Sequence, residues 1–164
     1  LHSPPLISIE NLSVVFPTQE GLVRAVNDVS LAIPRGTTVG LVGESGCGKS
    51  VTAMAILRLI AQPGRITAGR IHLHNGSGAL DLTALPEARM RAIRGARIGM
   101  IFQEPMTSLN PVFTVGAQVM EAILLHQKVT KAEARQKTIQ LFDEVGIPEP
   151  EVRVDSYPHQ MSGG

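Results

Sequence analysis

The string Gly43-Glu44-Ser45-Gly46-Cys47-Gly48-Lys49-Ser50 constrains this chain more than any other stretch. It matches G-x-x-x-x-G-K-[ST] position by position, which chance produces in on the order of one chain of this length in two hundred. Its setting sharpens the reading. Residues 37–42 before it are β-branched and nearly all apolar, the mark of a strand buried on both faces. After it, Met54, Leu57 and Ile60 recur at helical spacing, which predicts a helix over 49–60. Strand, glycine loop and helix in that order are what wrapping a phosphate requires. Glycines let the backbone curl so that successive N–H groups point inward at an anion, and the helix aims its positive end at the same place. Lys49 supplies a point charge for β- and γ-phosphates, and Ser50 a hydroxyl for Mg²⁺. A plain glycine turn with a solvated lysine would need neither the buried strand nor the helix.

Composition removes other classes. Fifteen Lys and Arg against fourteen Asp and Glu leave a net charge of +1, without the basic excess of a nucleic-acid binder. Cys47 is the single cysteine, so no internal disulfide or multi-cysteine metal site can form, and a reducing compartment fits best. The first residues lack the basic stretch and apolar run of a secretory signal. No apolar run approaches the ~18 residues of a membrane span, so a membrane role would be peripheral. A start on Leu1 and a stop on Ser162-Gly163-Gly164 lead us to expect part of a longer chain.

Along the chain, 7–16 and 22–33 read as strands joined by the loop Pro17-Thr18-Gln19-Glu20-Gly21, an antiparallel layer that ends at Pro34-Arg35-Gly36. Residues 69–74 read as a strand leading into the turn dipeptide Asn75-Gly76. A short helix is predicted over 86–93, with proline in its first turn. Residues 97–103, with Ile98, Met100, Ile101 and Phe102, read as a second buried strand. From Thr114 onward Val115, Val119, Ala122, Ile123 and His126 share a helical face. Thr130-Lys131-Ala132-Glu133 is a capping box opening a helix to about Glu144, with Gly146 as its punctuation. His72 and His74 alternate on a strand but lack a third ligand and read as surface residues. Arg89, Arg91, Arg94 and Arg97 read as a solvated basic face; contact with anionic lipid headgroups is the sharper alternative.

The loop alone leaves the nucleotide open. No N-K-x-D guanine reader is present, and a small-molecule kinase would not explain the strings downstream of the loop. The loop, then Ile101-Phe102-Gln103-Glu104-Pro105-Met106-Thr107-Ser108-Leu109-Asn110-Pro111, then Tyr157-Pro158-His159-Gln160-Met161-Ser162-Gly163-Gly164, resemble in order and spacing the ATPase subunits of ABC transporters. The central string is similar to the peptide, nickel and glutathione importer branch. The resemblance runs the length of the chain, with Met161 where the family's signature usually has leucine. The family's Walker B aspartate, catalytic glutamate and switch histidine would lie beyond residue 164.

The resemblance implies an α/β fold, a P-loop NTPase of the ABC ATPase type truncated before Walker B. It would comprise an antiparallel β layer (1–36 and 69–76), a P-loop core with a partial parallel sheet (37–68 and 77–110) and a helical subdomain ending in the signature (111–164). It implies ATP and Mg²⁺ as cofactors. Nucleotide contacts would come from Gly43, Glu44, Ser45, Gly46, Cys47, Gly48, Lys49, Ser50 and Val51, with Phe16 stacked on adenine; the other reading of Phe16 is an ordinary core phenylalanine. Gln103 would act in catalysis, reaching Mg²⁺ together with Ser50. Ser162, Gly163 and Gly164 would close over the γ-phosphate held by a second ATPase domain. Transmembrane permease subunits would be the other partners, at the cytoplasmic face of a bacterial inner membrane, and nucleic acid would not. The implied function is ATP-driven uptake of peptides or similar small solutes; the alternatives are a nucleotide-binding module without turnover and a cytosolic P-loop kinase. These residues alone are expected not to turn ATP over.

Overall fold

The computed structural model describes residues 4–76, 78–103 and 108–161. The chain divides into two compact units, residues 1–91 and 92–164. The first is built on a four-stranded antiparallel sheet of order β2-β1-β3-β4, with β1 Ile7–Thr18, β2 Gly21–Ile33, β3 Arg65–His74 and β4 Ala79–Asp81. Helices α1, Lys49–Ile56, and α2, Glu87–Arg91, complete it.

The sheet keeps one apolar face through a break in the alternation of β1. Ile7 and Ile9 are buried, and so are Leu12 and Val14, which are out of phase with them. The register of β1 slips between Ile9 and Leu12 against β2, and between Glu10 and Ser13 against β3. One extra residue returns the following side chains to the core face. Asn11 takes the left-handed conformation at the slip (φ 49), and so does Asp28 on β2 (φ 54). The Asn11 amide donates to the Asp28 carboxylate, while the backbone N–H groups of Asn11 and Asp28 donate to the Ser30 and Ser13 hydroxyls. On β3, Gly69 (φ +89) lies so close that a Cβ there would stand 2.5 Å from the carbonyl oxygens of Glu10 and Asn11. Asn, Asp and Gly occupy these points because they tolerate positive φ at least cost.

Asp81 ends β4 with its carboxylate held by the Thr83 hydroxyl (2.6 Å) and N–H (2.9 Å). Partial burial works against the charge, but the two Thr83 bonds, then His72 and Arg70, outweigh it and hold the carboxyl below its usual value. A depressed folded-state pKa stabilises above the ordinary carboxylate range and is lost as pH falls through it. The stability difference between wild type and Asp81→Asn should therefore shrink on acidification. Chemical denaturation across that range checks it, and a pH-independent difference would contradict the assignment.

The second unit is helical: α3 Val115–His126, α4 Lys131–Glu144, α5 Pro150–Arg153 and a 3₁₀ turn, Pro158–Gln160. Its core is Val115, Ile139, Phe142 and Val154, with Leu109, Val119, Ile147 and Met161 packed against them. The capping box forms as expected: Glu133 N–H donates to the Thr130 hydroxyl, and Thr130 N–H to the Glu133 carboxylate at 2.7 Å. Gly146 (φ 79) ends α4 in a Schellman motif, with Gly146 N–H on the Asp143 carbonyl and Ile147 N–H on the Phe142 carbonyl.

Two expected strands are corrected. Residues 37–42 and 99–102 carry no strand, and among the described residues the isolated parallel bridge Arg94↔Ile98 is the one β-pairing of the second run. Val42 is 92% exposed and Ile101 93%. A strand buried on both faces needs neighbours on both edges and layers above and below. Among the described residues no strand flanks either run, so the partial parallel sheet does not form there. α1 is also shorter than the predicted 49–60. It stops at Ile56, because Arg58 turns left-handed (φ 52) and closes a Schellman motif, with Arg58 N–H on Ala55 and Leu59 N–H on Met54.

Candidate functional site: the glycine-rich loop

Residues 43–48 run as turns into α1, whose first residues are Lys49 and Ser50. Gly46 (φ 81) and Gly48 (φ 91) both lie in the left-handed region, where only glycine fits without strain. Gly48 answers to a second constraint. A Cβ there would fall on the Ala25 carbonyl oxygen of β2 and reach the Val26 side chain. The motif's glycine thus lets the helix start press onto the sheet. Thr52, buried one turn later, fastens the same point by donating its hydroxyl (2.9 Å) and its N–H (2.8 Å) to the Gly48 carbonyl.

Lys49 spans the loop. Its ammonium donates to the carbonyl oxygens of Gly43 and Glu44, each at 2.7 Å, and lies 3.4 Å from Cys47 Sγ. The thiol sits across the loop from Gly43, where a Cβ would meet the sulfur at 2.6 Å. Cys47 and Ser50 are exposed. The first turn of α1 holds no acidic residue, and no side chain caps it. The unpaired N–H groups that begin a helix, with its positive dipole end, are therefore left for an external anion. Loop, ammonium and helix start together gather donors of the kind that a phosphate group accepts from.

A metal fits the same place on different terms. Among the described residues no group of three or more His, Cys, Asp or Glu gathers as a metal cage. Mg²⁺ needs none, since it takes one or two protein oxygens and completes its shell with phosphate oxygens and water. Ser50 offers one such oxygen.

The other candidate residues come from elsewhere in the chain. Phe16, paired with Val23 across the β1–β2 hairpin, is half-buried, and its ring edge lies against Gly64. Gln103 is exposed in the second unit, after the exposed Ile101 and Phe102. Ser162, Gly163 and Gly164 lie outside the described residues, as does Glu104. His72 faces Glu10 at 3.6 Å, and His74 bonds the Ser8 hydroxyl at 3.1 Å, pairings that suit a sheet surface. Sequence reasoning missed Ala25 and Thr52, which seat the loop. A backbone carbonyl carries no sequence signal, and a helical threonine carries a weak one.

The chain is 48% identical over 159 residues to the dipeptide transport ATP-binding protein DppD of Escherichia coli K12, covering 97% of this chain and 47% of that protein. It is 47% identical over 166 residues to the glutathione import ATP-binding protein GsiA of Salmonella choleraesuis, covering 100% of this chain and 27% of the relative. The chain thus spans about half the length of DppD and less of GsiA. Among solved structures, the ATP-binding cassette MJ0796 bound to ADP and Pi superposes with a TM-score of 0.80 at 23% identity, over 96% of this chain and 63% of that one. The fold is that of an ATP-binding cassette. A family model described as ABC transporter matches residues 26–164, from the β2 segment that seats the loop onward, and the chain belongs to that family.

Proposed function

We propose that this chain is part of the ATP-binding subunit of a bacterial importer for peptides or related small solutes, working at the cytoplasmic face of the inner membrane. The observation that carries the reading is the cradle at residues 43–50, with Lys49 across its mouth and an uncapped helix start behind it. Relatives named for dipeptide and glutathione import support the solute class. No helix among the described residues is long and apolar enough to cross a membrane, and partnership with separate permease subunits accommodates that.

In this reading the N–H groups of Gly46 to Val51 and the Lys49 ammonium hold the phosphate chain of ATP. Ser50 offers an oxygen to Mg²⁺. Phe16 offers a face of its ring to adenine. Ser162, Gly163 and Gly164 would meet the nucleotide of a second ATPase domain. The nucleotide brings the phosphoanhydride bond whose cleavage drives transport; the chain's residues bind and orient it. Binding should draw the two domains together and so shift the permease between its states.

Two experiments test this. Bound Mg·ATP should bury Cys47, which stands among the cradle residues, so saturating nucleotide should slow its alkylation at least about tenfold. Labelling that ignores nucleotide would remove the cradle assignment. Disruption of the intact gene should abolish uptake of a labelled dipeptide, glutathione or a nickel chelate. Normal uptake of all three would overturn the solute class while leaving the cradle intact.

A further inference from the structure

The first unit holds a second concavity, of about 470 Å³, that shares no residue with the glycine-rich loop. Its polar lining is Arg58, Gln62, Arg65, Thr67 and Thr83, and no carboxylate is among its lining residues. The two hydroxyls are committed elsewhere: Thr67 donates to the Ser13 carbonyl, and Thr83 to Asp81. The two guanidinium groups and the Gln62 amide therefore define the chemistry of the site. β3 adds backbone, since β4 pairs with it only at His72–His74, leaving one edge of 65–70 without a strand partner among the described residues.

Arg58 is the telling residue. It occupies the left-handed position of the Schellman motif that ends α1 (φ 52), a place where glycine or asparagine sits with least strain. The chain instead places a long cation there and ties it by a hydrogen bond to the Leu85 carbonyl. That tie fixes the direction of the planar guanidinium at the cavity wall. Arg65, at the start of β3, is exposed and pairs with no carboxylate among the described residues. One tethered and one exposed guanidinium, lining a shared hollow with an amide, match the forked, multi-acceptor geometry of a phosphate group. The hollow has room for more than a bare phosphate.

We propose that the Arg58–Arg65 cavity is a second anion site that binds a phosphate group separately from the glycine-rich loop. The group is carried either by a free phosphorylated small molecule or by the headgroup of an anionic phospholipid. The test uses the full-length protein with saturating ADP, so that the loop is filled. Inorganic phosphate is titrated by equilibrium dialysis, and flotation is measured with phosphatidylcholine vesicles with and without phosphatidylglycerol. Wild type should bind at least one of the two probes, and Arg65→Ala and Arg58→Gly should each weaken that binding about tenfold or more. Arg58→Gly relieves the left-handed backbone, so an unchanged thermal midpoint separates lost binding from lost folding. Flotation that needs phosphatidylglycerol identifies a headgroup as the source; phosphate binding without flotation identifies a free ligand. Binding of neither probe, binding that survives both substitutions, or binding that ADP displaces would overturn the proposal.

Discussion

Lys49→Ala should weaken nucleotide binding at least about tenfold. A charge-assisted hydrogen bond to phosphate is worth about 1.5–3 kcal/mol, and each 1.4 kcal/mol is a factor of ten. The structure adds a second loss. The same ammonium bonds the Gly43 and Glu44 carbonyls, so alanine removes both the charge and the tie across the loop. Titration of the full-length protein with a fluorescent ATP analogue reads the effect. Equal affinity of wild type and variant would mean that residues 43–50 are not the nucleotide site.

A large stability effect is expected at Gly116 in the first turn of α3. Glycine to alanine inside a helix ordinarily gains about 1 kcal/mol, so the sign of the change is itself the test. A Cβ at Gly116 would enter both the Val154 side chain and its carbonyl oxygen. The approach is fixed by two backbone bonds, Gly116 N–H to the Val154 carbonyl at 3.0 Å and Val115 N–H to the Ser156 carbonyl at 2.8 Å. Val154 is 1% exposed and belongs to the core of its unit, so it has nowhere to retreat. Overpacking of this kind costs about 1–3 kcal/mol, and a broken hydrogen bond about 1 more. Gly116→Ala should therefore destabilise by about 2–4 kcal/mol in chemical denaturation. A neutral or stabilising result would show that the α3–Val154 contact is looser than these bonds imply.

The features that local chemistry determines were legible in the sequence. Thr130 and Glu133 satisfy each other three residues apart, and Gly146 supplies a left-handed turn, so residue types alone bound α4 at both ends. The glycine loop was legible for the same reason, because each of its fixed positions answers to backbone or charge. What the sequence hid depends on neighbours. Residues 37–42 and 97–103 have the composition of buried strands, yet composition cannot provide the flanking strands that turn such a run into a sheet. The bulge line of Asn11, Asp28 and Gly69 was missed because three ordinary residues far apart in sequence become one feature only when the strands align. Arg58 ended α1 early against its apolar periodicity, since a left-handed arginine is a tertiary outcome that propensity does not foresee.

The bridge from Lys49 to Gly43 and Glu44 has a kinetic consequence. A glycine-rich segment is ordinarily the part of a site with the most conformational freedom to lose on binding. Here a side chain of the loop's own helix already fixes the ends of the curl, so much of the ordering precedes the ligand. An incoming phosphate meets a formed rim and displaces contacts, without first having to collect a floppy chain. In the proposed role, encounter, more than loop rearrangement, would set the pace of capture, and differences in affinity among nucleotides would fall mainly on how fast each one leaves.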